Sequence, residues 1–296
     1  MDRTAGVRAT LQNSYLAMAD GFCLSSEQMA FYHENGYLHV PQVLTREEAR
    51  DYREEAHALI RRLAETRGGE DRLNAAWGSS RALSDISPKL LHCHNVQFHS
   101  GAFTRLICDP RLTDRIADLI VPNVHLHHPK LFIKPPEQGA PSPLHQDYPY
   151  FPHTKHTMLA AVFFFEDTPV ERGCLCVVPK SHKLGPLPHL PEGGWHLPIA
   201  QYPLESAVPV PVQAGDVVVF NYLTIHGSGI NRTTETRTTL LVQMRDPTDV
   251  PLEALPLSRG HGMMLRGIDP TADADPDPSS TSRYLREASH ANRASE

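Results

Sequence analysis

Near the N-terminus the apolar residues recur at helical spacing, and each helix carries its own start and stop signals. "SSEQMAFYHENG" begins with a Ser25-x-x-Gln28 capping box, in which side chains and backbone satisfy each other's open N–H groups, and Gly36 ends it. "TREEARDYREEAHALIRRLAE" has a second capping box at Thr45 and Glu48. Its Ala49, Tyr52, Ala56, Leu59, Ile60 and Leu63 fall on one helix face. The intervening "GYLHVPQVL" predicts a short strand or extended segment.

From about residue 120 the period changes. "NVHLHHPKLFIKPP", "TMLAAVFFFED", "GCLCVVPKSHK", "VPVPVQAGDVVVFNYLTIHG" and "RTTLLVQMRDP" are short β-rich runs bounded by Gly, Pro, Asn and Asp. Many short strands with turn punctuation predict a mainly β sandwich or barrel with flanking helices, not a parallel α/β sheet. "AGDVVVF" reads as a turn feeding a strand, so the chain doubles back before His226. The expected organisation is one domain over 23–268, with a helical flank at 23–119 and a β core at 120–250. Residues 1–22 read as a flexible arm. The polar, Asp/Ser/Ala/Pro-rich 269–296 reads as a disordered tail.

Composition narrows the function classes. Of 296 residues 40% are hydrophobic and 21% charged, as in ordinary globular proteins. A net charge of -6, with no Lys/Arg-rich run, argues against nucleic acid as a partner. No apolar run is long enough for a membrane span, and the first residues lack a signal-peptide core, so a cytoplasmic location is the expectation. Cys23, Cys93, Cys108, Cys174 and Cys176 are odd in number and contain no C-x-x-C pair, which disfavours a disulfide framework or a zinc ribbon. Cys174 and Cys176 read as small apolar strand residues. The 18 histidines are what raises the prospect of a metal site.

"PLHQDYPYFPHTKH" holds His145 and Asp147 in an H-x-D arrangement. A strand displays alternate residues on one face, so both side chains would reach one ion. By itself the same pattern also describes a solvated polar strand. "FNYLTIHGSGINRTTETR" supplies His226 at the end of an apolar strand and Arg237 beyond a turn. Two imidazoles and a carboxylate compose the facial triad of non-heme Fe(II) oxygenases, which leaves three coordination positions open. A 2-oxo acid takes two and O2 the third, while the planar fork of Arg237 suits the co-substrate's far carboxylate.

With these segments in view, the chain resembles the phytanoyl-CoA dioxygenase family of Fe(II)/2-oxoglutarate oxygenases. "KPPEQGAPSPLHQDYPYFP", "RGCLCVVPKSHK", "IHGSGINRTTETR" and the opening "EQMAFYHENGYLHVPQVLTREE" carry the resemblance, over about residues 24 to 247. It implies a double-stranded β-helix, the jelly-roll, cupin-like barrel. It implies that His145, Asp147 and His226 hold Fe(II), and that Arg237 and Ser228 bind 2-oxoglutarate. It also carries Lys130, Phe163 and Asn95 to the co-substrate pocket, against the simpler readings of a surface lysine and a core aromatic for the first two. Gln146 between the ligands is expected to point away from the metal.

His153 and His156, just past the H-x-D loop, are the substrate-side candidates, together with Trp195 in the Gly/Pro-rich "PEGGWHLP". His125, His127, His128, His182 and His189 read individually as surface or satisfied core residues. The expected reaction is oxidation, in the first instance hydroxylation, of a C–H bond of a small polar metabolite, such as a tailoring step in specialised metabolism, in a monomer or homodimer. Desaturation, cyclisation and epoxidation share the chemistry, whereas halogenation is disfavoured by the presence of Asp147. The rivals are an acyl-CoA hydroxylase, a jelly-roll metalloprotein that does not use 2-oxoglutarate, and a non-catalytic binding protein. The presumed mouth segments offer mainly histidine and proline rather than clustered Lys or Arg, which speaks against a CoA thioester.

Overall fold

The computed structural model describes residues 21–76, 80, 83, 89–137, 139–253 and 258–272. Most of the expected N-terminal arm and C-terminal tail lie outside the described residues.

Both capping boxes form. Ser25 and Gln28 exchange side-chain-to-backbone bonds at the start of α1 (Ser26–Asn35), and Thr45 and Glu48 do the same at the start of α2 (Arg46–Arg67). Each helix ends on a left-handed glycine, Gly36 or Gly68, as a residue without Cβ permits. Between them β1 (Tyr37–Val40) is a true strand, and β2 (Leu91–His94), α3 (Gly101–Ile107) and α4 (Pro110–Leu119) follow. The remaining strands are β3 (Val124–Lys134), β4 (Ser142–His145), β5 (Leu159–Phe164), β6 (Leu175–Val177), β7 (Val208–Val210), β8 (Val217–Asn221), β9 (His226–Ser228), β10 (Arg237–Arg245) and β11 (Met264–Arg266).

They build two facing sheets. The larger runs β1-β8-β5-β10-β3-β11, with β2 also paired to β3, and the smaller runs β4-β9-β6-β7. This is the jelly-roll architecture. The larger sheet extends beyond the segment expected to form the core, since β1 and β2 join it from the helical flank and β11 from beyond residue 250. Short runs such as "YLHV" are ambiguous on their own; an open sheet edge decides them.

Period-2 alternation sorts the side chains. Phe163, Leu131, Ile133, Val219, Leu240 and Val242 turn outward onto the α2 stripe of Ala56, Leu59, Ile60 and Leu63. Ala160, Val162, Phe164, Val218 and Phe220 turn inward and meet Leu175 and Val177 of the smaller sheet. The outer layer anchors the helices to the barrel, and the inner layer leaves its polar positions at the functional centre.

Candidate metal centre and co-substrate pocket

β4 ends at His145, and Asp147 lies beyond it in a helical backbone conformation (φ -76°, ψ -19°) at the head of a short turn, Tyr148–Tyr150. The two side chains are therefore brought together by a strand-to-turn break, not by alternation along one strand. The Asp147 N–H donates to Tyr222 O at 2.9 Å, which fixes that break against the turn after β8. His226 likewise does not end the apolar strand: β8 stops at Asn221, and His226 opens β9, directly paired with His145.

The three donors converge. Asp147 Oδ1 lies 3.7 Å from His145 Nε2 and 3.8 Å from His226 Nε2, and all three ligand atoms lie within 4.8 Å of one another. His145 Nδ1 faces Pro143 O at 2.8 Å and His226 Nδ1 faces Thr224 O at 2.9 Å. A carbonyl only accepts, so both Nδ1 atoms carry the proton and both Nε2 atoms present a lone pair to the same point. Burial, reinforced by His226, pushes the His145 imidazole well below its ordinary range, so this ring is neutral and ready to ligate. Gln243 on β10 donates through Nε2 to Asp147 Oδ2 at 2.7 Å, leaving Oδ1 for an ion. Two neutral imidazoles, one carboxylate and such outer hydrogen bonds fit ferrous iron with open positions.

Toward one end of the barrel β10 begins at Arg237, opposite Lys134 of β3. Both are buried, at 7% and 2% exposure, and neither makes an ion pair among the described residues. The Arg237 guanidinium lies 5.5 Å from the centre of the Phe164 ring, and its Nε has no hydrogen-bond partner among the described residues. Lys134 Nζ donates to Ser228 Oγ at 2.8 Å and to Gly229 O at 2.6 Å. Burial first, then the neighbouring Arg237, drives the Lys134 amine well below its ordinary range. Burial lowers Arg237 to about 10. A buried guanidinium beside a buried amine, neither with an ion-pair partner among the described residues, makes a site that an anion would stabilise strongly, the amine gaining a proton as the anion arrives.

The Ser228 turn is held from behind by Gly173. At φ +72° this residue is left-handed, and a Cβ there would meet Gly229 O at 2.4 Å. Gly173→Ala should cost about 1–3 kcal/mol in chemical denaturation and displace the Ser228–Gly229 backbone. Unchanged stability would show that the turn yields.

The other expected site residues separate. Ser228 joins Arg237 through Lys134. Phe163 does not line this pocket: it faces the helices, and the inward residue beside Arg237 is Phe164. The sequence alone could not phase the run "AAVFFF", because apolar residues occupy both faces. Lys130 does face inward, but one strand segment away from Lys134 and within electrostatic range of Asp147. Asn95, left-handed at φ 55°, lies at a cleft beside β2, with its N–H on Pro129 O. Gln146 points away from the triad, bonding Leu223 O, Gly185 O and Leu187 N.

His153 is buried, its Nδ1 on Phe151 O at 2.8 Å and its ring 5.7 Å from that of His127. His156 is bonded through Nδ1 to the Tyr222 hydroxyl at 2.6 Å. Trp195 is partly exposed, and its backbone bonds the Tyr150 side chain. Of the histidines expected at the surface or in the core, His125, His127 and His128 are buried, and they group with buried His153 and half-buried His261. Lys134 and Gln243 escaped the reading because nothing local marks them; only cross-strand pairing does.

A family model described as phytanoyl-CoA dioxygenase (PhyH) matches residues 32–239. The chain is 30% identical over 226 residues to the peroxisomal phytanoyl-CoA dioxygenase of Rattus norvegicus, covering 72% of this chain and 66% of that protein. It thus spans about two thirds of that relative's length. It is 25% identical to a probable alpha-ketoglutarate-dependent hypophosphite dioxygenase of Stutzerimonas stutzeri, over 73% of this chain and 77% of that one. Among solved structures, the epimerase SnoN in complex with Fe3+, alpha ketoglutarate and nogalamycin RO superposes with a TM-score of 0.63 at 27% identity, covering 81% of this chain and 98% of that one. The chain belongs to the phytanoyl-CoA dioxygenase (PhyH) family.

Proposed function

We propose that the protein is an Fe(II)- and 2-oxoglutarate-dependent oxygenase that oxidises, and in the simplest case hydroxylates, a C–H bond of a small polar metabolite. The observation that carries this reading is the presence, inside one barrel, of a buried His145–Asp147–His226 triad and a separate pair of buried basic groups, Arg237 and Lys134, with no ion-pair partner among the described residues. A metalloprotein that did not use a dicarboxylate would gain nothing from burying that pair. Family membership and the iron and alpha ketoglutarate of the SnoN structure support the reading.

Bound Fe(II), 2-oxoglutarate and O2 supply the oxidising chemistry, in which decarboxylation to succinate and CO2 accompanies oxidation of the substrate. The chain's own residues prepare the site for it. His145 and His226 hold neutral Nε2 donors because Pro143 O and Thr224 O keep the proton on Nδ1. Gln243 orients Asp147. Arg237 and Lys134 fix the distal carboxylate, and Ser228, accepting from Lys134, has its own O–H left to donate to that carboxylate. The inward apolar layer around Phe164, Val218 and Phe220 excludes water.

Anaerobic addition of Fe(II) and 2-oxoglutarate should produce a weak visible metal-to-ligand charge-transfer band that neither produces alone. Absence of the band, with no 2-oxoglutarate binding by calorimetry, would refute the oxygenase reading. No helix among the described residues is long and apolar enough to cross a membrane.

A further inference from the structure

Beside β2 a cleft of 240 Å³ is lined by Arg67, Arg259, His92, His94, His99 and Phe98 among others. No acidic side chain lines it among the described residues. Arg67 and Arg259 make no ion pair among the described residues, and the Arg259 guanidinium lies 4.1 Å from the centre of the Phe98 ring. Stacking of this kind holds the guanidinium plane while leaving its N–H edge available. Burial lowers His94 to about 4 and also depresses His92 and His99, so these imidazoles are neutral, the His92 Nδ1–H is taken by Leu73 O, and the two arginines supply the charge.

The cleft adjoins the site. His94 pairs across the sheet with Lys130, and the Asn95 N–H bonds Pro129 O, so its wall is the outer neighbour of the stretch that faces inward toward Asp147. Lys130 lies four residues before Lys134 on β3, about 13 Å along the strand from the Arg237 end. Lys130 thus stands between the two, paired with His94 of the cleft wall and within electrostatic range of Asp147 in the triad.

We propose that this cleft is the substrate-recognition subsite, and that it binds an oxyanion group, phosphate or carboxylate, of a small substrate whose reacting carbon lies beside the triad. A guanidinium fork grips such a group through paired hydrogen bonds. The volume selects the size: clefts that enclose a whole drug-sized ligand hold roughly 300–1,000 Å³, so this one takes a charged head and not a nucleotide. The proposal rests on the oxygenase reading and assigns its substrate class. It also revises the expectation from the mouth segments, because arginines distant in sequence converge where those segments show only histidine.

Inorganic phosphate titrated calorimetrically into the full-length protein, without added iron, should bind saturably. Arg67→Ala and Arg259→Ala, both at exposed positions that leave the core intact, should each weaken it at least tenfold. Succinate release should then be measured across pairs of compounds that share a carbon skeleton and differ by a phosphate or carboxylate. Release should follow the charged members, and either substitution should raise their KM at least tenfold while the 2-oxoglutarate KM stays unchanged. The proposal is overturned if wild-type protein binds no phosphate, if the R67A/R259A protein binds it as well as wild type, or if uncharged members turn over indifferently to both arginines. A missing charge-transfer band would instead remove the oxygenase reading, which the phosphate titration does not test.

Discussion

His145→Ala, Asp147→Ala and His226→Ala should each reduce succinate release below detection and leave the purified protein without stoichiometric iron. The reason is the sharing of a single point by three donors: His145 Nε2 and His226 Nε2 lie 3.7 and 3.8 Å from Asp147 Oδ1, so removal of any one leaves a two-donor site. Iron measured by mass spectrometry and activity measured by succinate release should fall together. Gln243→Leu separates holding the metal from orienting its ligand. That substitution removes the 2.7 Å bond to Asp147 Oδ2 while keeping the side-chain volume, and should cost about 10–100-fold in iron affinity or activity. A triad variant with full iron content and turnover would remove that residue from the centre.

The other large effect is expected at the pair of buried basic groups. Arg237→Ala should leave the iron content intact and weaken 2-oxoglutarate, since a charge-assisted bond contributes about 1.5–3 kcal/mol, or roughly tenfold to a hundredfold or more in affinity. Lys134→Met should weaken it over the same range, because it removes a charge and also releases the Ser228 hydroxyl from the 2.8 Å bond that orients it. The two sites are distinguishable by their protons. Burial and Arg237 hold the Lys134 amine well below its usual range, while the flanking Cys174 and Cys176 thiols act weakly in the opposite direction. An arriving carboxylate favours the charged amine, so wild-type protein should take up a proton on binding 2-oxoglutarate, and affinity should fall as pH rises. Calorimetry in two buffers of different ionisation enthalpy reads that proton directly. Lys134→Met should abolish the uptake and Arg237→Ala should not. Equal heats in both buffers for wild type would show that Lys134 is already charged without the ligand.

Much of this protein was determined by its sequence. The capping boxes at Ser25 and Thr45 and the helical stripe from Ala49 to Leu63 are local patterns with local causes, and both helices form where those patterns lie. The punctuated β runs set the mainly β architecture. The H-x-D spacing of His145 and Asp147, the later His226 and Arg237 segment and the family resemblance these segments carry singled out the four residues together, although the H-x-D pattern by itself also fits a solvated strand. What only the tertiary structure decided depends on partners far apart in the chain. The strand break after His145 is fixed by Tyr222, the charge state and partners of Lys134 by Arg237 and Ser228, and the orientation of Asp147 by Gln243. The choice between Phe163 and Phe164 is of the same kind: in a run apolar on both faces, periodicity carries no phase, and the pairing of β5 with β10 supplies it. Arg67 and Arg259 meet at one cleft for the same reason, since a sequence records a charge but not which distant charge the folded chain will place beside it.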